Sequence, residues 1–222
     1  MASYTTAADV AAELGGVTIN TTSTPTTNTV NTWISDASDE IEQVAGRVFS
    51  VAVVTSDAYE YHDYDASGKI RLVNAPVISV ESVEYANDLN ATAVTWSALS
   101  EGRTSSTHFV TYLDEGVLLL RTTAPKYGTQ NIRCTYTYGY LSTPRWVKRL
   151  CTLLVAKRYI LSVANKSAST EGGAVSVGTI RVDDPNNYVH THLQRVNTEI
   201  DLLWQRVGSS FKSYSYDSTL YD

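Results

Sequence analysis

Charge is scarce in this chain. Asp, Glu, Lys and Arg make up 18% of 222 residues and leave a formal net charge of only −6. That balance lacks the basic footprint of a nucleic-acid-binding domain. There are only two cysteines, Cys134 and Cys151, and their spacing fits neither a zinc site nor a redox pair, so two buried thiols are expected. No apolar run approaches the roughly 18 residues that a membrane helix needs. The first residues carry no basic region followed by an apolar stretch, so no signal peptide is expected. Without secretion, the glycosylation triplets at Asn20, Asn90 and Asn165 have no meaning. Glycine-rich phosphate loops, nucleophile elbows and zinc spacings are also missing. The expectation is therefore no enzyme, no cofactor and no metal.

What is present is tyrosine, Ser and Thr. Fifteen Tyr stand against three Phe, a ratio suited to half-buried strands and to interfaces, where a flat apolar ring ends in a polar tip.

The hydrophobic period changes twice along the chain. Residues 6–14 read as a short helix capped by Thr5 or Thr6 and ended by Gly15-Gly16. Thr24 and Pro25 open a second helix over 25–46, with Val30, Trp33, Ile34, Ala37, Ile41, Val44 and Ala45 on one face and Gly46 as C-cap. From 47 to 140 the period becomes that of strands, expected at 59–64, 69–73, 77–85, 93–97, 108–113, 117–121 and 131–140, with turns between them. Thr143-Pro144 then opens a helix over 144–164, whose wide stripe of Val147, Leu150, Cys151, Leu154, Val155 and Leu161 predicts a central position. Residues 165–178 read as a flexible Ser-, Ala- and Gly-rich loop, and 175–182 could add a short strand. A last helix over 185–207 carries Val189, Leu193, Val196, Ile200, Leu203 and Val207 at spacings of four and three, too short a seam for an independent coiled coil. The fold class is α+β: a bundle of about four helices (1–46 and 141–207), a large antiparallel β-rich insertion (47–140) between the second and third, and an extended tail (208–222).

Three partial motifs lose to plainer readings. Asp63, Asp65, Ser67 and Gly68 resemble the start of a calcium loop, but the closing position holds Asn74 instead of Glu and the flanks read as strands. His190 and His192 are two apart on a helix and point in different directions, while His62 and His108 sit in separate strands. Asp183-Asp184 precedes a helix and is accounted for by capping and the helix dipole.

Two surfaces stand out. Arg145, Lys148 and Arg149 crowd a helix start, where cations oppose the dipole at about 0.3–1 kcal/mol each when exposed. Lys157 and Arg158 extend the patch. Two readings are open: pairing within or between subunits, with Asp36, Asp39, Glu40 and Glu42 as candidate partners, or a role facing DNA or another protein. The tail, with Phe211, Tyr214, Tyr216, Leu220 and Tyr221 among Ser, Lys and Asp, carries aromatic anchors that disordered tails lack and reads as a docking segment.

Residues 69–83, Lys-Ile-Arg-Leu-Val-Asn-Ala-Pro-Val-Ile-Ser-Val-Glu-Ser-Val, resemble a strand–proline–strand signature of tailed-phage head–tail connector (adaptor) proteins. So does Asn-Ile-Arg-Cys-Thr-Tyr-Thr-Tyr-Gly-Tyr at 131–140, followed by Pro144 and a long helix. Ile-Glu-Gln-Val-Ala-Gly-Arg-Val-Phe at 41–49 is similar to that family's entry into its β lobe, and 171–182 is similar to the segment before its last helix. The set covers most of the chain in the expected order, although the β lobe is larger than in simple members and the aromatic tail is no fixed family motif. The resemblance implies a structural virion protein of the neck: a homo-oligomeric ring, generally of twelve subunits, bound beneath the portal and extending the DNA channel. It implies contact with a downstream neck or tail protein, passage of genome DNA without specific binding, and assembly in the host cytoplasm without a membrane. On that analogy the Phe211–Tyr221 anchors dock on the portal. A mildly acidic wall suits a channel that does not hold DNA. The competing readings are another neck component, such as a stopper or tail-completion protein, and a carbohydrate- or cell-surface-binding module presenting Tyr59, Tyr61, Tyr85 and Trp96.

Overall fold

The computed structural model describes residues 3–65, 67–89, 93–103, 108–121, 125–168, 175–177, 180–182 and 185–212, with side chains described except at 165–190 and 208–212. The chain divides into two compact units: residues 1–46 with 143–222, and residues 47–142.

The first unit is helical. Helix α1 (Ala7–Glu13) opens with a capping box, in which Asp9 N donates to Thr6 Oγ1 at 3.2 Å and Thr6 N donates to Asp9 Oδ2 at 3.2 Å. Helix α2 (Thr27–Ala45) begins later than the Thr24-Pro25 signal suggests. Thr26 has the extended backbone of a cap, and its hydroxyl accepts from Thr29 N, so Pro25 stays in the preceding loop. Gly46 ends α2 in the left-handed region, φ 58°, as expected. The buried face of α2 is Val30, Ile34, Ala37, Ser38, Ile41 and Ala45, whereas Val44, expected on it, is exposed.

Helix α3 (Arg145–Ala168) is central, packing against α1, α2 and the last helix. Val147, Leu150, Cys151, Leu153, Val155, Ala156, Tyr159 and Ile160 are buried all around it. Leu161 falls outside that belt, on the exposed side. Strands β9 (Val175–Val177) and β10 (Ile180–Val182) form an antiparallel hairpin. Helix α4 (Pro185–Lys212) starts at its proline and continues past Val207, so the first residues assigned to the tail are helical. Val196, Ile200 and Val207 of the seam are buried.

The second unit is one curled sheet built from β1 (Ala52–Val54), β2 (Glu60–Tyr64), β3 (Lys69–Arg71), β4 (Val77–Tyr85), β5 (Ser97–Glu101), β6 (His108–Tyr112), β7 (Val117–Leu120) and β8 (Gly128–Tyr138). Its order is β1-β8-β4-β5-β6-β7-β3, with β2 also paired to β8. The sheet is mixed, not wholly antiparallel as expected, because β5 and β6 pair in parallel over Ser100↔His108 and Glu101↔Phe109. Strand β5 also lies later than the 93–97 pattern indicated. Its register sets Leu99 opposite Val83 and buries it, while Val94 stays on the surface. The core gathers Ile70, Val83, Leu118, Ile132, Cys134 and Tyr136 from four strands. Where β8 leaves the sheet, Gly139 has φ 99° and its Cα faces Ser50 O so closely that a Cβ would lie 2.0 Å from that oxygen.

Candidate functional site

The basic residues at the start of α3 line an open notch of about 370 Å³ together with Asp9, Ala12, Glu13 and Thr152. Two of the three are engaged inside the chain. Lys148 Nζ lies 2.9 Å from Asp9 Oδ1. Arg149 forks between two helices, donating to Glu13 of α1 and, at 2.6 and 2.9 Å, to Glu199 of α4. The Glu199 bonds, with those of Glu13, hold the guanidinium firmly protonated against the opposing effect of burial. In return the Arg149 bonds depress the Glu199 carboxyl, and the Lys148 and Thr6 bonds depress that of Asp9. The cations that oppose the α3 dipole are thus compensated by carboxylates from neighbouring helices. Arg145 is exposed and forms no ion pair among the described residues.

Of the acidic set on α2, Asp36 and Glu40 pair with Arg158 at 3.2 and 3.5 Å, and Glu42 accepts from the Tyr4 hydroxyl. The α2 acids therefore meet Arg158, and the α3 start meets α1 and α4. Asp9, Glu13 and Glu199 went unrecognised as partners in the sequence. Only Asp9 carried a local signal, as the third residue of a capping box; the other two are brought in by helix packing.

The aromatic residues of the carbohydrate reading do not form one platform. Tyr85 packs against the core of the β unit. Tyr59 and Trp96 clamp the guanidinium of Arg133, whose carbon lies 4.1 and 4.3 Å from the two ring centroids, and Arg133 Nε reaches Glu84 Oε2 at 2.5 Å. Tyr61 meets both rings edge-on. A ring face that already holds the protein's own cation is not open for stacking a sugar.

Within the β unit, Glu60 gathers a polar network beside the core. Its carboxylate accepts from Val73 N at 2.8 Å and from the fully buried Tyr136 hydroxyl, which itself accepts from Asn74 Nδ2 at 3.0 Å. His62 Nε2 stands 2.7 Å from Glu60 Oε1, but its N–H direction misses the oxygen, so the contact is one of charge when the imidazole is protonated. Burial alone would raise the Glu60 carboxyl; His62, Tyr136 and Val73 outweigh it and hold the group below its ordinary value. Burial and the Glu60 hydrogen bond push the Tyr136 phenol up. Burial also raises both thiols, Cys134 to about 12, which makes them poor nucleophiles.

The remaining candidates stay apart. Asp65 Oδ1 accepts from Ser67 N and Oγ at 2.9 and 2.6 Å and serves its turn, while Asp63 Oδ1 accepts from Gln130 N at 2.7 Å and ties β2 to β8. Among the described residues no cluster of His, Cys, Asp and Glu could hold a metal ion. Among them, too, no helix is long and apolar enough to cross a membrane. Phe211 lies on α4 with its side chain outside the described set, as does that of His190; Tyr214, Tyr216, Leu220 and Tyr221, like Asp183 and Asp184, lie outside the described residues.

No family model matches the chain, and no curated protein matches it. Among solved structures, it is similar to a chain of the neck of an empty GTA particle, computed with C6 symmetry. The two share 17% identity, with 71% of this chain and 81% of that chain covered and a TM-score of 0.38.

Proposed function

We propose that this protein is a structural component of a tailed-phage-like neck: an adaptor that closes into a ring, generally of twelve subunits, beneath a portal. The observation that supports the reading is the division of the chain. The sequence ends, 1–46 and 143–222, fold into one helical unit around α3, while 47–142 segregates entirely into a β unit. This is the layout implied by the ordered motifs that resemble the connector family, with its strand–proline–strand pair now seen as β3, Pro76 and β4. The polar chemistry of the described residues is that of a scaffold. Polar side chains are spent on caps, on inter-helix ion pairs and on the Glu60 network.

In this role α1–α4 form the ring wall and neighbours meet through heterologous contacts repeated around one axis. Arg145, without an ion pair among the described residues, faces a neighbouring subunit or the channel, with Lys148 and Arg149 behind it. Phe211, Tyr214, Tyr216, Leu220 and Tyr221 anchor the ring to the portal. The downstream neck protein binds the opposite rim, and the genome passes without specific contact. The protein thus resides in the virion neck, is assembled in the host cytoplasm, and has no catalytic task.

The test is native mass spectrometry of the full chain with the portal encoded beside it. A mixed ring with one copy per portal subunit is expected, and deletion of 213–222 should leave the helical fold intact while abolishing portal binding. Portal binding by the truncated chain at wild-type strength overturns the docking role of the tail. Failure of the intact chain to join the portal at any salt concentration moves it to a stopper or tail-completion position.

A further inference from the structure

Strand β1 is an open edge. It is hydrogen-bonded to β8 on one side, over Ala52↔Tyr138, Val53↔Thr137 and Val54↔Tyr136, and to no other described strand. Proteins ordinarily blunt such an edge with Lys, Pro or another charge, because its free N–H and C=O groups are a template for a further strand. Residues 50–56, Ser-Val-Ala-Val-Val-Thr-Ser, hold no charge and no proline. Their side chains do not hide either: Val51 is 47% and Val53 55% exposed. Apart from its shortness, β1 itself carries no protection; the charges on this side of β8 lie further along, on β2, at Glu60, His62 and Asp63.

The helical unit contains an element with a matching need: among the described strands β9 pairs with β10 alone, while it also approaches α3. The β9–β10 hairpin is a sheet of two strands, three residues each. A two-stranded hairpin is marginal in water and gains stability from a third strand or a packed face. Strand β9, Val-Ser-Val, is uncharged like β1, and β10 carries only Arg181. The strands agree in length, in β-branched content and in neutrality, the three properties that favour pairing and leave no charge to desolvate.

We propose that β9 of one copy adds to β1 of the next, so that a sheet runs β10-β9-β1-β8 across each subunit boundary. This rests on the ring reading above and names a contact by which the ring closes. A strand donor on one unit and a strand acceptor on the other make a head-to-tail interface, the kind that repeats around a ring.

Two measurements test it on the full chain with the portal. Val53→Lys puts a charge on the free edge at an exposed position, so far-UV circular dichroism and Tm should stay as in the wild type. Ring assembly read by native mass spectrometry should weaken at least tenfold. In the second, Val53→Cys protein is mixed with Ser176→Cys protein and treated with a short thiol cross-linker. The native Cys134 and Cys151 are buried and do not compete. A covalent dimer containing both variants is expected, since neighbouring strands lie about 5 Å apart. Wild-type rings that persist in Val53→Lys overturn the edge contact and leave the ring reading standing. Loss of rings without the mixed cross-link overturns it too, because another strand then occupies β1. If the wild type forms no ring at all, the ring reading fails, and the cross-link between mixed copies decides the edge contact by itself.

Discussion

Arg149 shows how little a local reading says about a charge. By spacing it belongs to an exposed basic patch; by packing it is the link between α1, α3 and α4. Replacing it with Met should leave Glu13 and Glu199 facing each other and cost about 1–2 kcal/mol, discounted for a side chain that is one-third exposed. The pH dependence has a definite sign. Glu199 has its carboxyl lowered from 4.5, so the stability it contributes is fully present above that value and is lost as pH falls through the folded value. The gap in Tm between wild type and Arg149→Met should therefore be constant from pH 8 to 6 and shrink below about pH 4.5. A gap that widens on acidification would rule out this source. Gly139 is a second single-residue constraint. With φ 99° and Ser50 O at 2.0 Å from any Cβ, Gly139→Ala should destabilise by about 2–4 kcal/mol, measured by urea unfolding.

At the scale of elements, α4 carries both a packed seam and an exposed face within a few residues. Ile200 is buried and Leu202 is 60% exposed. Ile200→Ala should cost about 2–4 kcal/mol and Leu202→Ala under about 0.5 kcal/mol in the same denaturation assay. Equal effects would mean that α4 turns a different face to α3. The seam was readable because a four-three spacing allows only one helical face to be apolar. Strand β5 was not, because Ser-Ala-Leu-Ser-Glu has a single large apolar residue, and only its pairing with β4 shows that Leu99 is the one that matters. Strand β1, Ala-Val-Val, escapes a local reading for its shortness: three residues become a strand only when β8 is beside them.

For the whole molecule, the chain enters and leaves the β unit at adjacent points, since Ser50 O lies against Gly139 at the β1–β8 end. An insertion with neighbouring ends and its own core behaves as an independent domain. Residues 47–142 produced alone should fold and show a cooperative thermal transition with a β-type circular dichroism spectrum. A non-cooperative melt would show that the sheet depends on the helices for its stability.

The sequence by itself determined the helices, the change of period at 47 and 140, the proline starts at Pro144 and Pro185, the glycine stop at Gly46, and the central place of α3. These follow from periodicity and from backbone chemistry, which act within a few residues. Only the tertiary structure decided which charges meet, that β5 and β6 run parallel, that Tyr59 and Trp96 hold Arg133, and that β1 pairs with β8 alone among the described strands. Each depends on residues that are not neighbours in the chain, from eight positions apart for Ser100 and His108 to more than a hundred for Arg149 and Glu13, whose approach is set by the packing of apolar faces and leaves no trace in local spacing.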